Sequence, residues 1–201
     1  MVVLNARRIP KVLTLPIPLY PFPEKRMIHN VTVRRIGPDE AATYAEALAD
    51  VLVDCVEGGA SVSFMLPLSH EKAVAFWRGI AEGVARGERA LLVAEDRDGQ
   101  VLGTVQLIMS QPDNQPHRAD IAKMLVSRKG RRQGIAQRLM AAVEEVARDE
   151  GKTVLVLDTV TGGDAERLYE RAGWQRVGAV PKYALMPDGA FCGTTFYYKH
   201  I

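Results

Sequence analysis

The stretch from Ala119 to Thr159 constrains the fold of this chain more than any other. A strand-like run, Ala119 to Val126, passes through a basic loop into a long helix, and a second strand-like run, Thr153 to Thr159, follows. Ile135, Leu139, Val143 and Val146 recur at helical spacing and give the helix one apolar face. The second run is rich in β-branched residues, as a buried strand is. Parallel strands joined through a helix leave a crevice at their carboxyl ends, and that is where a ligand is expected.

The loop between strand and helix carries the chemistry. Arg128, Lys129, Arg131, Arg132 and Arg138 crowd it, with no acidic residue among them. The first turn of a helix has backbone N–H groups without partners and a partial positive charge, so an anion placed there is stabilised. Gly134 removes a side chain where a phosphate would approach the backbone, and Ala136 keeps the next turn small. Neither a Walker loop nor a dinucleotide fingerprint is present, because the glycine and lysine spacings of both are missing.

The rest of the chain is consistent with one domain, since 201 residues bury one sizeable core but would make two ordinary domains cramped. Apolar residues make up 47% and charged residues 25%, a balance that argues against disorder over most of the length. A net charge of +2 gives no electrostatic case for nucleic acid binding. Cys55 and Cys192 are too few for a disulfide framework and suit a reducing cytoplasm as free thiols. No metal is expected, because His29, His70, His117 and His200 are scattered without ligand spacing. No run reaches the roughly 20 apolar residues of a membrane span.

Ile9 to Pro23 differs in holding Pro10, Pro16, Pro18, Pro21 and Pro23, a density that prevents a continuous helix. Residues 1–26 therefore read as a weakly ordered proline-rich arm, with Met27 an alternative start, and 27–201 as the folded domain. Within it, Val31 to Arg35 reads as a strand and Pro38-Asp39-Glu40 as the acidic opening of a helix carrying Tyr44, Leu48, Val51, Leu52 and Cys55 on one face. Ser69 is placed to cap a second helix with Ala73, Phe76, Trp77, Ile80 and Val84 on its apolar side. Leu91 to Glu95 and Gln100 to Met109 read as strands joined by a turn at Asp98-Gly99.

Arg131, Gly134 and Ala136 fit the Gln/Arg-x-x-Gly-x-Gly/Ala pattern of the GNAT acetyltransferases. Asp164 to Trp174, with Ala165 and Tyr169 on one side of a short helix ending at Gly173, resembles the family's second signature. Many members have Asn where Gly162 stands, so any contact that Asn makes is lost or replaced here. The resemblance implies an α/β (α+β) GNAT fold with a mixed, mostly antiparallel sheet, flanked by helices and splayed between the strands around Val126 and Thr153. It also implies acetyl-coenzyme A as co-substrate, held by Arg131, Arg132, Gln133, Gly134, Ile135 and Ala136 at its pyrophosphate and by the backbone of Leu125 and Val126 at its acetyl and pantetheine parts. Glu57 to Met65, Asp158-Thr159 and Pro181 to Gly189 are more specifically similar to the tabtoxin-resistance acetyltransferases. That similarity implies a small amino-acid-like amine as acceptor, and toxin resistance as the role.

An amine attacks a thioester only as the neutral base, and the sulfur leaves more readily once its charge is neutralised. In the family the residue at Tyr169 donates a proton to the departing thiolate, and a phenol remains protonated at neutral pH. The resemblance pairs Tyr169 with Asp158, which can orient the acceptor ammonium. Strand alternation puts Val154, Val156 and Asp158 on one face and Leu155, Leu157 and Thr159 on the other. Glu57, Ser61, Phe64 and Met65 are candidates for the acceptor wall, with an acid for an ammonium and an apolar end for the rest; His117 and Lys123 are further candidates. An acyl-coenzyme A sensor without turnover, and an enzyme acting on protein N-termini or lysines, are the competing readings. Partners are thus a small-molecule amine, no nucleic acid and no membrane, with the chain a monomer or homodimer.

Overall fold

A computed structural model describes residues 31–201, so the proline-rich arm and the Met27 alternative lie outside the described residues. Among the described residues, seven strands form one sheet in the order β1-β2-β3-β4-β5-β7-β6. They are β1 (Thr32–Ile36), β2 (Arg89–Glu95), β3 (Val101–Ile108), β4 (Arg118–Val126), β5 (Val154–Val160), β6 (Gln175–Leu185) and β7 (Phe191–His200). Only β4 and β5 run parallel, bridged by the helix α3 (Ile135–Asp149), so the sheet is mixed and mostly antiparallel, as expected. The α/β architecture read from the sequence is the one observed.

Helices α1 (Ala45–Glu57) and α2 (His70–Ala85) cover one face of the sheet; α3 and α4 (Asp164–Arg171) cover the other. The Ser69 side chain accepts from the Lys72 N–H and starts α2 as expected. The acidic opening at Glu40 behaves differently. Its carboxylate accepts from the Gly37 N–H and pairs with Arg34, and the chain enters α1 through a 3₁₀ turn, Ala41–Tyr44. Asp96 Oδ1 accepts from the N–H groups of Asp98 and Gln100, fixing the β2–β3 turn. Strands β6 and β7 are not marked by the sequence pattern; β7 lies inside the sheet, between β5 and β6.

Two apolar cores result, and a bulge in β4 exchanges them. Ala122 stands opposite Gln106 and Leu125 opposite Thr104, so two residues, Lys123 and Met124, face the single Val105. Ahead of the bulge, Ala119 and Ile121 pack into the core beneath α3. Behind it, Leu125 packs into the core beneath α1 and α2. Lys123 takes φ 48, a conformation rare for a residue with a side chain, and this absorbs the extra residue.

Candidate active site

Strands β4 and β5 pair only through Arg118–Val154, Ala119–Leu155 and Asp120–Val156. Beyond these three pairs the bulge carries β4 away, while β5 follows β7 as far as Val160. A wedge opens between Ile121–Val126 and Leu157–Val160, with the N-terminus of α3 near its mouth. Among the described residues the edge of β4 facing β5 lacks a strand partner there, and Leu125 and Val126 lie on it.

Next to the wedge the backbone is prepared for an anion. Gly134 caps α3 in the left-handed conformation, φ 71, which costs a residue with a Cβ roughly 1–2 kcal/mol. No side chain caps this helix and its first turn holds no acid. The N–H groups of Gln133 to Gln137 find no backbone acceptor among the described residues. Lys129, Arg131, Arg132 and Arg138 form no ion pair among the described residues, so their charges are available. Gln133 donates to the Lys129 carbonyl, folding the loop on itself. Helix terminus, free cations and open strand edge together match what a pyrophosphate followed by an amide-bearing chain would need.

Arg128 has a different role from its neighbours. Its N–H and guanidinium both bond Asp54 at 2.6 Å, and the guanidinium reaches Glu57 at 3.4 Å. Burial pushes the Asp54 carboxyl up, but the Arg128 bonds outweigh it and hold the group below the usual carboxylate range. Two acids at the end of α1 oppose its dipole, and that mismatch is the sequence signal that a cation must dock there. Asp54 thus anchors the loop, a role the sequence reading did not assign.

Asp158 stands on the α1–α2 face of β5, exposed, with Leu155 and Leu157 buried on the opposite face. Crowding by protein atoms raises its pKa; Lys123 lowers it and Asp120 raises it. Tyr169 comes from α4 on the other face, 5% exposed, its ring tilted against Trp174 and Tyr197. Burial, and then the Asp158 charge, push its phenol up to about 12. The Asp158 charge is felt at the Tyr169 phenol, although the two residues stand on opposite faces of the sheet. Where the family commonly has Asn, Gly162 donates its N–H to Glu166 at 2.7 Å.

The acceptor-wall candidates have separate surroundings. Ser61 donates to the Leu185 carbonyl at 2.7 Å, and Leu66 N–H to the Pro187 carbonyl, so the segment after α1 is tied to the β6–β7 hairpin. Phe64 meets Phe76 edge to face at 5.1 Å. Met65 is 41% exposed, and Glu57 is engaged by Arg128. Lys123 reaches Ser63 Oγ at 3.2 Å and sits over the Phe76 ring. His117 lies at the closed end of the wedge, its carbonyl accepting from Thr153 and Val154.

Comparison with known proteins agrees with this geometry. Residues 53–174 match the model of the acetyltransferase (GNAT) family. An uncharacterized N-acetyltransferase in the hisH–hisA intergenic region of Azospirillum brasilense is 34% identical over 131 residues, 64% of this chain and 75% of that protein. The Salmonella typhimurium acetyltransferase yncA, solved with its cofactor acetyl-CoA, superposes with TM-score 0.68 at 19% identity, covering 85% of this chain and 94% of that one. A ribosomal-protein-alanine N-acetyltransferase from Brucella melitensis gives 0.68 at 23%, covering 85% and 99%. The chain belongs to the GNAT acetyltransferase family and is an acetyl-CoA-dependent N-acetyltransferase. Among the described residues no helix is long and apolar enough to cross a membrane, and no cluster of His, Cys, Asp and Glu could hold a metal.

Proposed function

We propose that this enzyme acetylates the amine of a small amino-acid-like acceptor, with a tabtoxin-type β-lactam the leading specific candidate. The observation that carries this reading is the tie between Ser61 and Leu185, which joins two segments singled out by resemblance into one wall. Such a wall suits a compact acceptor better than an extended peptide. Acetyl-CoA supplies the thioester carbonyl. The α3 N-terminus and Arg131 to Ala136 would hold its pyrophosphate, and the β4 edge at Leu125 and Val126 its amide-bearing arm. Asp158 orients the acceptor ammonium and passes its proton to solvent, leaving the neutral amine to attack. Tyr169 then gives its proton to the departing sulfur, a task for which a phenol held at about 12 is fully protonated at neutral pH.

Comparing kcat/KM for a panel of small amines with that for lysine-containing and N-terminal peptides tests the reading, because that ratio measures discrimination at the transition state. Small amines are expected to be preferred. Preference for peptides would replace this acceptor class with proteins. Acetyl-CoA binding without thiol release from any acceptor would leave only a sensor.

A further inference from the structure

The acceptor side of the wedge holds two opposite charges that do not meet. Neither Lys123 nor Asp158 has an ion-pair partner among the described residues, although each feels the other's field. The neighbouring carboxylate, Asp120, is already engaged by Arg118 and by Gln111 Nε2 at 3.1 Å, so it does not neutralise Lys123. The Lys123 ammonium is held in place by Ser63 Oγ and the face of Phe76. Behind it, Gln106 stands opposite Ala122 and keeps a buried Nε2 without a partner among the described residues, while Arg89 bonds the other end of that amide and has a buried Nε likewise unpartnered there. Donors outnumber acceptors on this wall. Burial lowers the Lys123 pKa, as expected for a cation lacking a counter-ion.

We propose that Lys123, with Ser63 beside it, binds a carboxylate of the acceptor, so that the enzyme selects amines in zwitterionic, amino-acid form over amines without an acidic group. This rests on the small-amine reading above and narrows it. The acceptor's ammonium faces Asp158 and its carboxylate faces Lys123, which places the attacking nitrogen at the wedge. The bulge is what makes this possible: it turns Lys123 toward the α2 face beside Asp158, instead of following Ile121 into the α3 core.

The test pairs each common L-amino acid with its methyl ester and measures thiol release from acetyl-CoA by the full chain and by Lys123→Met. Comparing acid-to-ester ratios of kcat/KM between the two proteins cancels the esters' altered amine basicity. Loss of a hydrogen-bonded charge should lower the ratio by about 10- to 100-fold, through a higher KM for the acid. Lys123→Arg should restore part of it. Unchanged acetyl-CoA affinity by calorimetry shows that the variant is folded, and if Met is not tolerated Lys123→Gln serves in its place. An equal ratio in wild type and variant, or turnover of esters alone by wild type, overturns the carboxylate site and leaves the small-amine reading intact. Turnover of peptides alone overturns the small-amine reading itself.

Discussion

Tyr169 on α4 and Asp158 on β5 stand on opposite faces of the sheet, and the surroundings of each raise its pKa. The raised Tyr169 pKa means that the neutral phenol is the form the fold favours. Its stabilising contribution is complete below about 10 and is lost as pH rises toward about 12. Tyr169→Phe should therefore lower kcat by about 10²- to 10⁴-fold at neutral pH with little change in acetyl-CoA affinity. Single-turnover rates check this, and an unchanged rate would reduce Tyr169 to a packing residue. For Asp158 the raised pKa favours the protonated acid, while the role proposed for it calls for the anion. Activity should consequently rise with pH through a midpoint raised from the ordinary aspartate value, and Asp158→Asn should remove that limb while raising acceptor KM. Profiles of both proteins with one acceptor separate this limb from the acceptor's own ionisation. At Gly134, a Glu places charge and bulk at the helix terminus and should abolish acetyl-CoA binding by calorimetry; Gly134→Ala, sharing the backbone strain without the charge, should retain more. Equal losses would assign the effect to strain alone. Gly134 and Tyr169 were expected from the spacing of two motifs, and Asp158 from resemblance and strand alternation. Lys123 and Asp54 acquire their roles from partners 60 and 74 positions away, which no local pattern records.

At the scale of the element, β4 is the part that no periodicity could have described. Alternation read straight through Ala119 to Val126 sends Leu125 to the same face as Ile121, and the bulge reverses this. β6 escaped for another reason. β6 is an edge strand exposed along nearly its whole length, and an element with no buried face has no apolar alternation to display. The α3 helix, by contrast, was legible through Ile135, Leu139 and Val143 on its buried face, although the expected Val146 is only half-buried and the buried Glu144 was not read. Its first turn lies directly on β3 at Gly103, where an added Cβ would come within 2.8 Å of the Leu125 carbonyl and 3.3 Å of Ile135. Gly103→Ala should cost about 1–3 kcal/mol by overpacking. It should also weaken acetyl-CoA binding, because what yields is the β4 edge or the helix start. Thermal melts and calorimetry would show it; lowered stability with intact affinity would mean that the strain relaxes elsewhere.

Across the whole molecule, Glu144 fastens the α3–α4 side to the end of the chain. This carboxylate, buried on α3, accepts from Lys199 of β7 at 2.7 Å and from Trp174 Nε1 at 3.2 Å, and Lys199 also donates to the Ala172 carbonyl. Glu144→Gln keeps the shape but leaves the Lys199 charge without its counter-ion, at a cost of about 3 kcal/mol or more. Chemical denaturation should show that loss, and a change below about 0.5 kcal/mol would mean that the pair is replaceable by solvent. The overall order of helices and strands up to Trp174 was readable; the insertion of the last strand beside β5 was not, since it joins segments far apart in the chain. That insertion makes the three-pair contact between β4 and β5 more telling. The sheet is in effect two plates sharing a short weld, one running from β1 to β4 and the other holding β5, β7 and β6. A ligand lodged in the wedge would touch both plates and act as a brace, so substrate binding and the mechanical unity of the protein are one property.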